Sequence, residues 1–219
     1  MILMTEKTTL QRMIDGELYH QTPELLELRF KARDLLQAYN RLDYRNLTER
    51  TRILKALLGK TGDGAFIELP FHTDYGFNVQ LGDHFFANNN LTLLDAAPII
   101  IGDDVLIAPN VGIYTAGHAL DPDLRLKTGA EYAAPVKIGN NVWIGAGVTI
   151  TPGVTIGDNT VIGAGSVVTK SIPANVLAFG NPCHVQRPFD ERDKQVYFKE
   201  RQVTQDYLDR LASGATFHR

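Results

Sequence analysis

The stretch "IGNNVW IGAGVT ITPGVT IGDNTV IGAGSV VTKSIP", residues 138–173, repeats every six residues. Its first position holds Ile138, Ile144, Ile150, Ile156, Ile162 and Val168; its fifth holds Val142, Val148, Val154, Thr160, Ser166 and Ile172. A period of six fits neither an α-helix nor a plain strand. It fits a solenoid, in which short strands alternate with tight corners. "TPG" at 151–153 and "APN" at 108–110 supply the proline and the Gly or Asn of a type II turn. "GDN", "GNN" and "GDD" supply residues that tolerate positive φ. Three hexads make one triangular coil, and coils stack at the ordinary strand spacing of ~4.8 Å. First positions then form aliphatic ladders inside a narrow prism, and fifth positions must be small enough to sit beside them.

The frame extends outward on both sides. "LGDHFF ANNNLT LLDAAP" begins at Leu81, and after a two-residue slip "IGDDVL IAPNVG IYTAGH" runs over 101–118. The rhythm then breaks on His118 and returns near Val136. The intervening segment carries "DPD" and "KTG", fits no hexad and is expected to loop outward. The expected division is a helical segment over 1–62, a β-helix over 63–187 with an excursion loop at 117–135, and a helical extension over 188–219.

Before the repeats the chain reads as helical. Thr22 is a candidate N-cap ahead of Pro23, and Leu25, Leu28, Ala32, Leu35, Leu36 and Tyr39 make one apolar stripe up to Asn40. A second helix is expected from about Thr48 to Leu58, with Gly59 as its C′ residue. At the other end, "DERDKQVYFKERQVTQDYLDRLASG" reads as a charged amphipathic helix, whose simplest role is to cap the open end of the solenoid. A contact in a trimer is the alternative.

Composition narrows the function. The 219 residues are 44% hydrophobic and 21% charged, with a net charge of -3. No basic excess points to nucleic acid. "MILMTEKTTL" has too short an apolar run for a signal peptide, and no window approaches the ~20 apolar residues of a membrane span, so a cytoplasmic protein is expected. The single cysteine, Cys183, reads as a small packed residue rather than a nucleophile.

The hexads, with "MIDGELYHQTPELLELRFKARDLLQAYN", "DYGFNVQLGDHFFANNN" and "IGDDVLIAPNVGIYTAGH", resemble the hexapeptide-repeat maltose and galactoside O-acetyltransferases. The resemblance implies a mainly β fold: a left-handed parallel β-helix of hexapeptide repeats with N-terminal helices and a C-terminal helix. The crossover rule alone would favour right-handed coils. It also implies a homotrimer, acetyl-CoA as co-substrate in a cleft between neighbouring prisms, and no metal.

His118, within "TAGH", matches the family's catalytic histidine; otherwise it would be a surface-loop histidine. Moving acetyl from a thioester to a sugar hydroxyl requires a base for the hydroxyl proton, and an imidazole can take that proton and return it to the leaving thiolate. Asn88, Asp74 and Arg29 match acceptor contacts, although a corner asparagine, a corner aspartate and a solvated helix charge are the plain alternatives. Asp95 keeps the first acid of a pair found in the galactoside branch, and Ala96 replaces the second, which leans towards the maltose branch.

The cofactor side has its own pattern. Ala146 and Ala164 stand eighteen residues apart in repeated "IGAG", with Pro182 eighteen further on, so small side chains stack along one face. Trp143 stands at an outward position beside them. Thr169, Lys170, His184 and Arg187 are the candidates for the phosphates of coenzyme A; the family often has arginine where His184 stands, and an imidazole clamps phosphate less firmly than a guanidinium.

Two other classes compete. A carbonic-anhydrase-like trimer would hold zinc through histidines, but the spacings between His72, His84 and His118 do not fit one inter-subunit cluster. A non-enzymatic solenoid would favour regular outward residues, whereas this chain breaks its repeat once and puts a histidine at the break.

Overall fold

The computed structural model describes residues 7–214. Residues 1–6 and 215–219, the outer ends of the expected helical segments, lie outside the described residues. Among the described residues no helix is long and apolar enough to cross a membrane.

Three parallel sheets form the faces of a solenoid of about six turns. The first face stacks Lys60–Thr61, Val79–Leu81, Ile99–Ile101, Val136–Ile138 and Thr155–Ile156. The second stacks Phe66–Ile67, Phe86–Ala87, Leu106–Ile107, Trp143–Ile144, Val161–Ile162 and Val176–Phe179. The third stacks Phe71–Thr73, Leu91–Leu94, Gly112–Tyr114, Thr149–Ile150 and Val167–Val168. The first-position ladder is visible in the register, where Thr61, Leu81, Ile101, Ile138 and Ile156 pair in succession. The fifth positions Val142, Val148, Val154, Thr160, Ser166 and Ile172 are all buried.

The corners explain the polar hexad positions. Between the first and second faces, each third-position oxygen accepts the backbone N–H of the coil before it: Asp83 from Asp63, Asp103 from Asp83, Asn140 from Asp103 and Asp158 from Asn140, at 2.7–2.8 Å. The next residue turns left-handed, with φ of 57° at Asp104, 53° at Asn141 and 53° at Asn159. Asparagine and aspartate adopt this conformation at low cost. The ladder thus satisfies corner amides that no strand reaches.

Every departure from the repeat falls at one corner, between the third and first faces. Thr61 pairs with Leu81 and Leu81 with Ile101, two residues more than the eighteen separating Ile138 from Ile156. The extra residues lie in the turns at 74–78 and 95–98. The third coil exits at the same corner as an arm. Ala116–His118 pairs antiparallel with Glu131–Ala133, and a short helix, Pro122–Thr128, joins the two strands. The expected outward loop is therefore a hairpin tipped by a helix, capped by Asp121 and ended by Gly129 at φ 62°.

At the N-terminal end, helix α1 (Thr9–Ile14) precedes α2 (Pro23–Asn40) and α3 (Leu47–Leu57). Thr22 caps α2 as expected, its hydroxyl accepting from Leu25 N at 3.3 Å. Leu25, Ala32, Leu36 and Tyr39 are buried, while Leu28 and Leu35 are half-buried. The Asn40 amide donates to Phe71 O at 2.9 Å and accepts from Phe71 N at 3.1 Å, closing the edge of the first third-face strand. Arg50, 2% exposed, pins α3 to this end: it donates to Tyr44 O at 3.1 Å, Tyr39 Oη at 3.4 Å and Ile67 O, and lies 4.2 Å over the Phe66 ring.

Two local expectations are corrected. Gly59 is not a left-handed C′ residue; α3 runs straight into extended chain at Leu58 (φ -91°, ψ 149°). Glycine is needed there because a Cβ would stand 2.1 Å from the Phe77 carbonyl oxygen. The segment from Asp190 onward is not one helix. A 3₁₀ turn, Glu191–Lys194, leads into a hairpin of Val196–Phe198 and Arg201–Gln202, and only Gln205–Ala212 (α5) is helical. The edge of the second face is covered instead by strand His184–Pro188, which folds back antiparallel on Val176–Phe179.

Candidate active site

The irregular corner collects polar groups. Asp74 follows the first third-face strand, Asp95 the second, and Thr115 to His118 the third, so the three stack along one edge of the prism. Against this edge α1, α2 and the turn at Tyr19 pack a separate small core of Met13, Tyr19, Leu25, Tyr75, Ala96, Ala97 and Ala133. The core holds the N-terminal helices against the root of the arm.

Arg29, on α2, faces this edge. Its guanidinium lies 3.3 Å from Asp74 Oδ2, donates to Tyr75 Oη at 3.3 Å and sits 5.1 Å over the Tyr75 ring. Burial pushes the Asp74 carboxyl above its ordinary value, and the Arg29 charge pulls it back. The helix charge is therefore paired at the edge rather than solvated.

Asp95, expected as an acceptor contact, is completely buried. Its Oδ1 accepts from Thr73 Oγ1 at 2.7 Å, Asp74 N at 3.1 Å and Tyr75 N at 2.8 Å. Its role is to fix the turn that presents Asp74 and Tyr75. Burial pushes its carboxyl up to about 6, against the pull of these hydrogen bonds. Its Oδ2 is buried without a hydrogen-bond partner among the described residues.

His118 is exposed at the root of the arm, directly opposite Glu131. Opposed residues of an antiparallel pair project to the same face, with Cβ atoms ~4.5–5.5 Å apart. Glu131 Oε2 accepts from the buried Tyr19 hydroxyl at 2.9 Å. Burial first, then the Glu131 charge, raises the Tyr19 phenol, so it remains a donor. Sequence reasoning missed Glu131, Tyr19 and Tyr75. Glu131 becomes visible only once the break is seen as a hairpin whose strands set it against His118.

The other candidates occupy different places. Asn88 lies at the corner between the second and third faces, as do Ala146 and Ala164. The two alanines are exposed, with Gly165 N donating to Ala146 O at 2.8 Å, and added Cβ atoms at Gly147 or Gly165 would meet nothing within 4 Å. This corner is open and flat. Trp143, 54% exposed, projects from the adjoining second face. One strand, about three residues or ~10 Å across, separates this edge from the His118 edge. Thr169 and Lys170 lie exposed at the third-to-first corner, two coils beyond the arm. His184 opposes Phe179 near the Ala164 corner.

Arg187 is not a free phosphate clamp: its Nη1 and Nη2 donate to both oxygens of Asp193 at 2.7 and 2.6 Å. Cys183 is buried, and burial raises its thiol. His72 lies on a third-face strand and His84 beside Asp104 at a corner. Among the described residues no group of three or more His, Cys, Asp or Glu is placed to hold a metal ion.

Two family models match the chain. Residues 12–62 match the maltose acetyltransferase hexapeptide capping motif, and residues 135–170 match six repeats of the bacterial transferase hexapeptide. A putative acetyltransferase of Saccharomyces cerevisiae is 52% identical over 186 residues, 84% of this chain and 94% of that protein. A solved galactoside acetyltransferase in complex with coenzyme A superposes with a TM-score of 0.87 at 43% identity, covering 91% of this chain and all of the other. A maltose O-acetyltransferase from Clostridium difficile 630 superposes with a TM-score of 0.83 at 46% identity, covering 85% of this chain.

Proposed function

The chain belongs to the hexapeptide-repeat maltose and galactoside O-acetyltransferases, and on that footing we propose that it moves acetyl from acetyl-CoA to a hydroxyl of a sugar such as maltose or glucose. The observation that carries this reading is the His118 edge. An exposed imidazole stands on a rigid strand, opposite a fixed carboxylate, on the same prism edge as the Arg29–Asp74–Tyr75 cluster.

The chemistry follows from that arrangement. His118 takes the proton of the sugar hydroxyl as its oxygen attacks the thioester carbonyl carbon. The tetrahedral intermediate collapses, the carbon–sulfur bond breaks, and the imidazolium returns the proton to the leaving thiolate. Glu131 steadies the imidazolium between the two transfers. No covalent enzyme intermediate is required; the rest of the acceleration comes from holding two substrates in register.

One chain does not hold all the parts. His118 stands on one edge of the prism, whereas Asn88 and the flat Ala146–Ala164 corner stand on another. Proton transfer needs contact at ~2.6–3.2 Å, less than the width of the strand between the edges. The reading therefore includes a homotrimer, in which the His118 edge of one copy meets the Asn88–Ala146–Ala164 edge of the next.

Ala96, where an acid would favour galactosides, supports maltose or glucose as acceptor. Release of free thiol from acetyl-CoA, measured against maltose, glucose and a galactoside, tests this. Ester formation on maltose or glucose is expected. Turnover confined to the galactoside would reverse the acceptor assignment, and thiol release with none of the sugars would remove the function.

A further inference from the structure

Tyr19 and Glu131 exchange both of their main-chain hydrogen bonds: Tyr19 N donates to Glu131 O at 3.0 Å, and Glu131 N donates to Tyr19 O at 2.8 Å. Both main-chain groups of Glu131 therefore point away from His118. Opposed residues of an antiparallel pair alternate between exchanging hydrogen bonds and exchanging none. His118–Glu131 is then a rung without main-chain bonds, and Gly117–Tyr132 is the adjacent rung that has them. Farther down the arm Ala134 N donates to Thr115 O at 2.8 Å, in step with this alternation. The main chain that carries the imidazole is thus held to its partner strand through Gly117.

Glycine is a loose residue for that duty, because it loses the most backbone freedom on folding and has no side chain to pack. The looseness is offset from across the hairpin. A Cβ added to Gly117 would stand 2.5 Å from Tyr132 Cζ, 2.6 Å from its Oη and 2.8 Å from its Cε1. The Tyr132 phenol therefore lies over the space that the side chain of any other residue would enter. An aromatic ring laid across a glycine strengthens a weak rung of a sheet. The ring is half-exposed, so its inner side rests on Gly117 and its outer side meets solvent.

Side chains alternate across a strand, so Gly117 and Tyr132 lie on the face of the hairpin opposite to His118 and Glu131. Tyr132 is not placed to touch a substrate held at the imidazole; its route to the reaction runs through the backbone of Gly117. The root of the strand is fixed separately, by the buried Thr115, whose Oγ1 donates to Leu94 O at 2.6 Å and accepts from Ala97 N at 2.9 Å. Between that anchor and the exposed imidazole, the ring is the brace. We propose that Tyr132 is a positioning residue for His118: its ring, laid across Gly117, holds the strand so that the imidazole stays in register with Glu131 and the acceptor hydroxyl. This rests on the reading of His118 as the base.

Thiol release by Tyr132→Ala, Tyr132→Phe, Gly117→Ala, His118→Ala and His118→Ala/Tyr132→Ala tests it. Tyr132→Ala is expected to lower kcat about tenfold, because a small misplacement of a reacting group is costly, with KM for acetyl-CoA unchanged. Tyr132→Phe keeps the ring and should restore most of the rate. Gly117→Ala puts a methyl group where the ring lies and should lower kcat as Tyr132→Ala does. The double variant should turn over at the His118→Ala rate, since the brace has nothing left to position. A ring that only stabilised the fold would lower the rate in both backgrounds alike. Parent rates in Tyr132→Ala or Gly117→Ala, no recovery in Tyr132→Phe, or a further loss in the His118→Ala background would each overturn the inference and leave His118 as the base. A His118→Ala variant at the parent rate would remove both.

Discussion

His118 and Glu131 stand directly opposite each other at the root of the arm, and the buried Tyr19 hydroxyl holds the Glu131 carboxylate at 2.9 Å. The pairing joins three separate stretches of chain: the N-terminal turn and the two strands that flank the break in the repeat. On the proposed reading it would set a carboxylate held by Tyr19 across the hairpin from the imidazole without making that carboxylate a reactant.

Glu131 should therefore act through His118. Glu131→Ala is expected to lower kcat by roughly tenfold, the scale of a lost orienting partner, with KM for acetyl-CoA nearly unchanged and a modest loss of stability, because the buried Tyr19 hydroxyl loses its acceptor. Glu131→Gln keeps an acceptor for Tyr19 and should recover part of the loss. A fall in unfolding temperature that tracked the fall in rate, with no rescue by glutamine, would make Glu131 a structural residue only.

Asp95 should mark the pH dependence of stability. Burial raises its carboxyl from 3.8 to about 6. Between those values the native chain keeps a proton that the unfolded chain has released. The Asp95 contribution is then most favourable below about pH 4, declines as pH rises to about 6, and levels above that. Asp95→Asn removes this dependence. Urea unfolding at a series of pH values should show the parent losing about 1–3 kcal/mol relative to the variant between pH 4 and 7. Parallel profiles would contradict the assignment.

Arg50 should hold the helices to the solenoid. Arg50→Ala strips hydrogen bonds from Tyr44 O and Ile67 O and removes the cation over Phe66. About 2–4 kcal/mol of stability should be lost. Arg50→Lys should recover little, because an ammonium cannot reach these carbonyls in a fork while covering the ring. Denaturant unfolding of both variants measures the difference; a lysine variant as stable as the parent would refute it.

The solenoid was legible in the sequence because its cause is local. Each hexad needs an aliphatic residue inward and a Gly or Asx residue at the turn, so Ile138 to Val168 and Asn141 or Asn159 declare themselves. The cap at Thr22 was legible for the same reason. Much of the candidate site was not. Glu131 matters only through a cross-strand pairing that bridges an insertion of no fixed period. Asp95 was noticed as an acid, but nothing in its neighbours announced that the next coil would close over it. Gly59 resembled a helix stop, whereas its cause is the Phe77 carbonyl some eighteen residues away. The charged periodicity after Asp190 suited a helix, yet the engagement of Asp193 with Arg187 and the hairpin at Val196–Gln202 broke it. The two-residue slips near 74–78 and 95–98 were the strongest unused signal, since they fall at the same corner as the arm.

The central claim is that His118 removes the proton from the acceptor hydroxyl. The most direct measurement is the rate of thiol release by His118→Ala at saturating acetyl-CoA and sugar, beside the affinity of the same variant for coenzyme A. The account predicts a loss of about 10²–10⁴-fold in kcat with coenzyme A binding unchanged. A variant that turned over at the parent rate would contradict it.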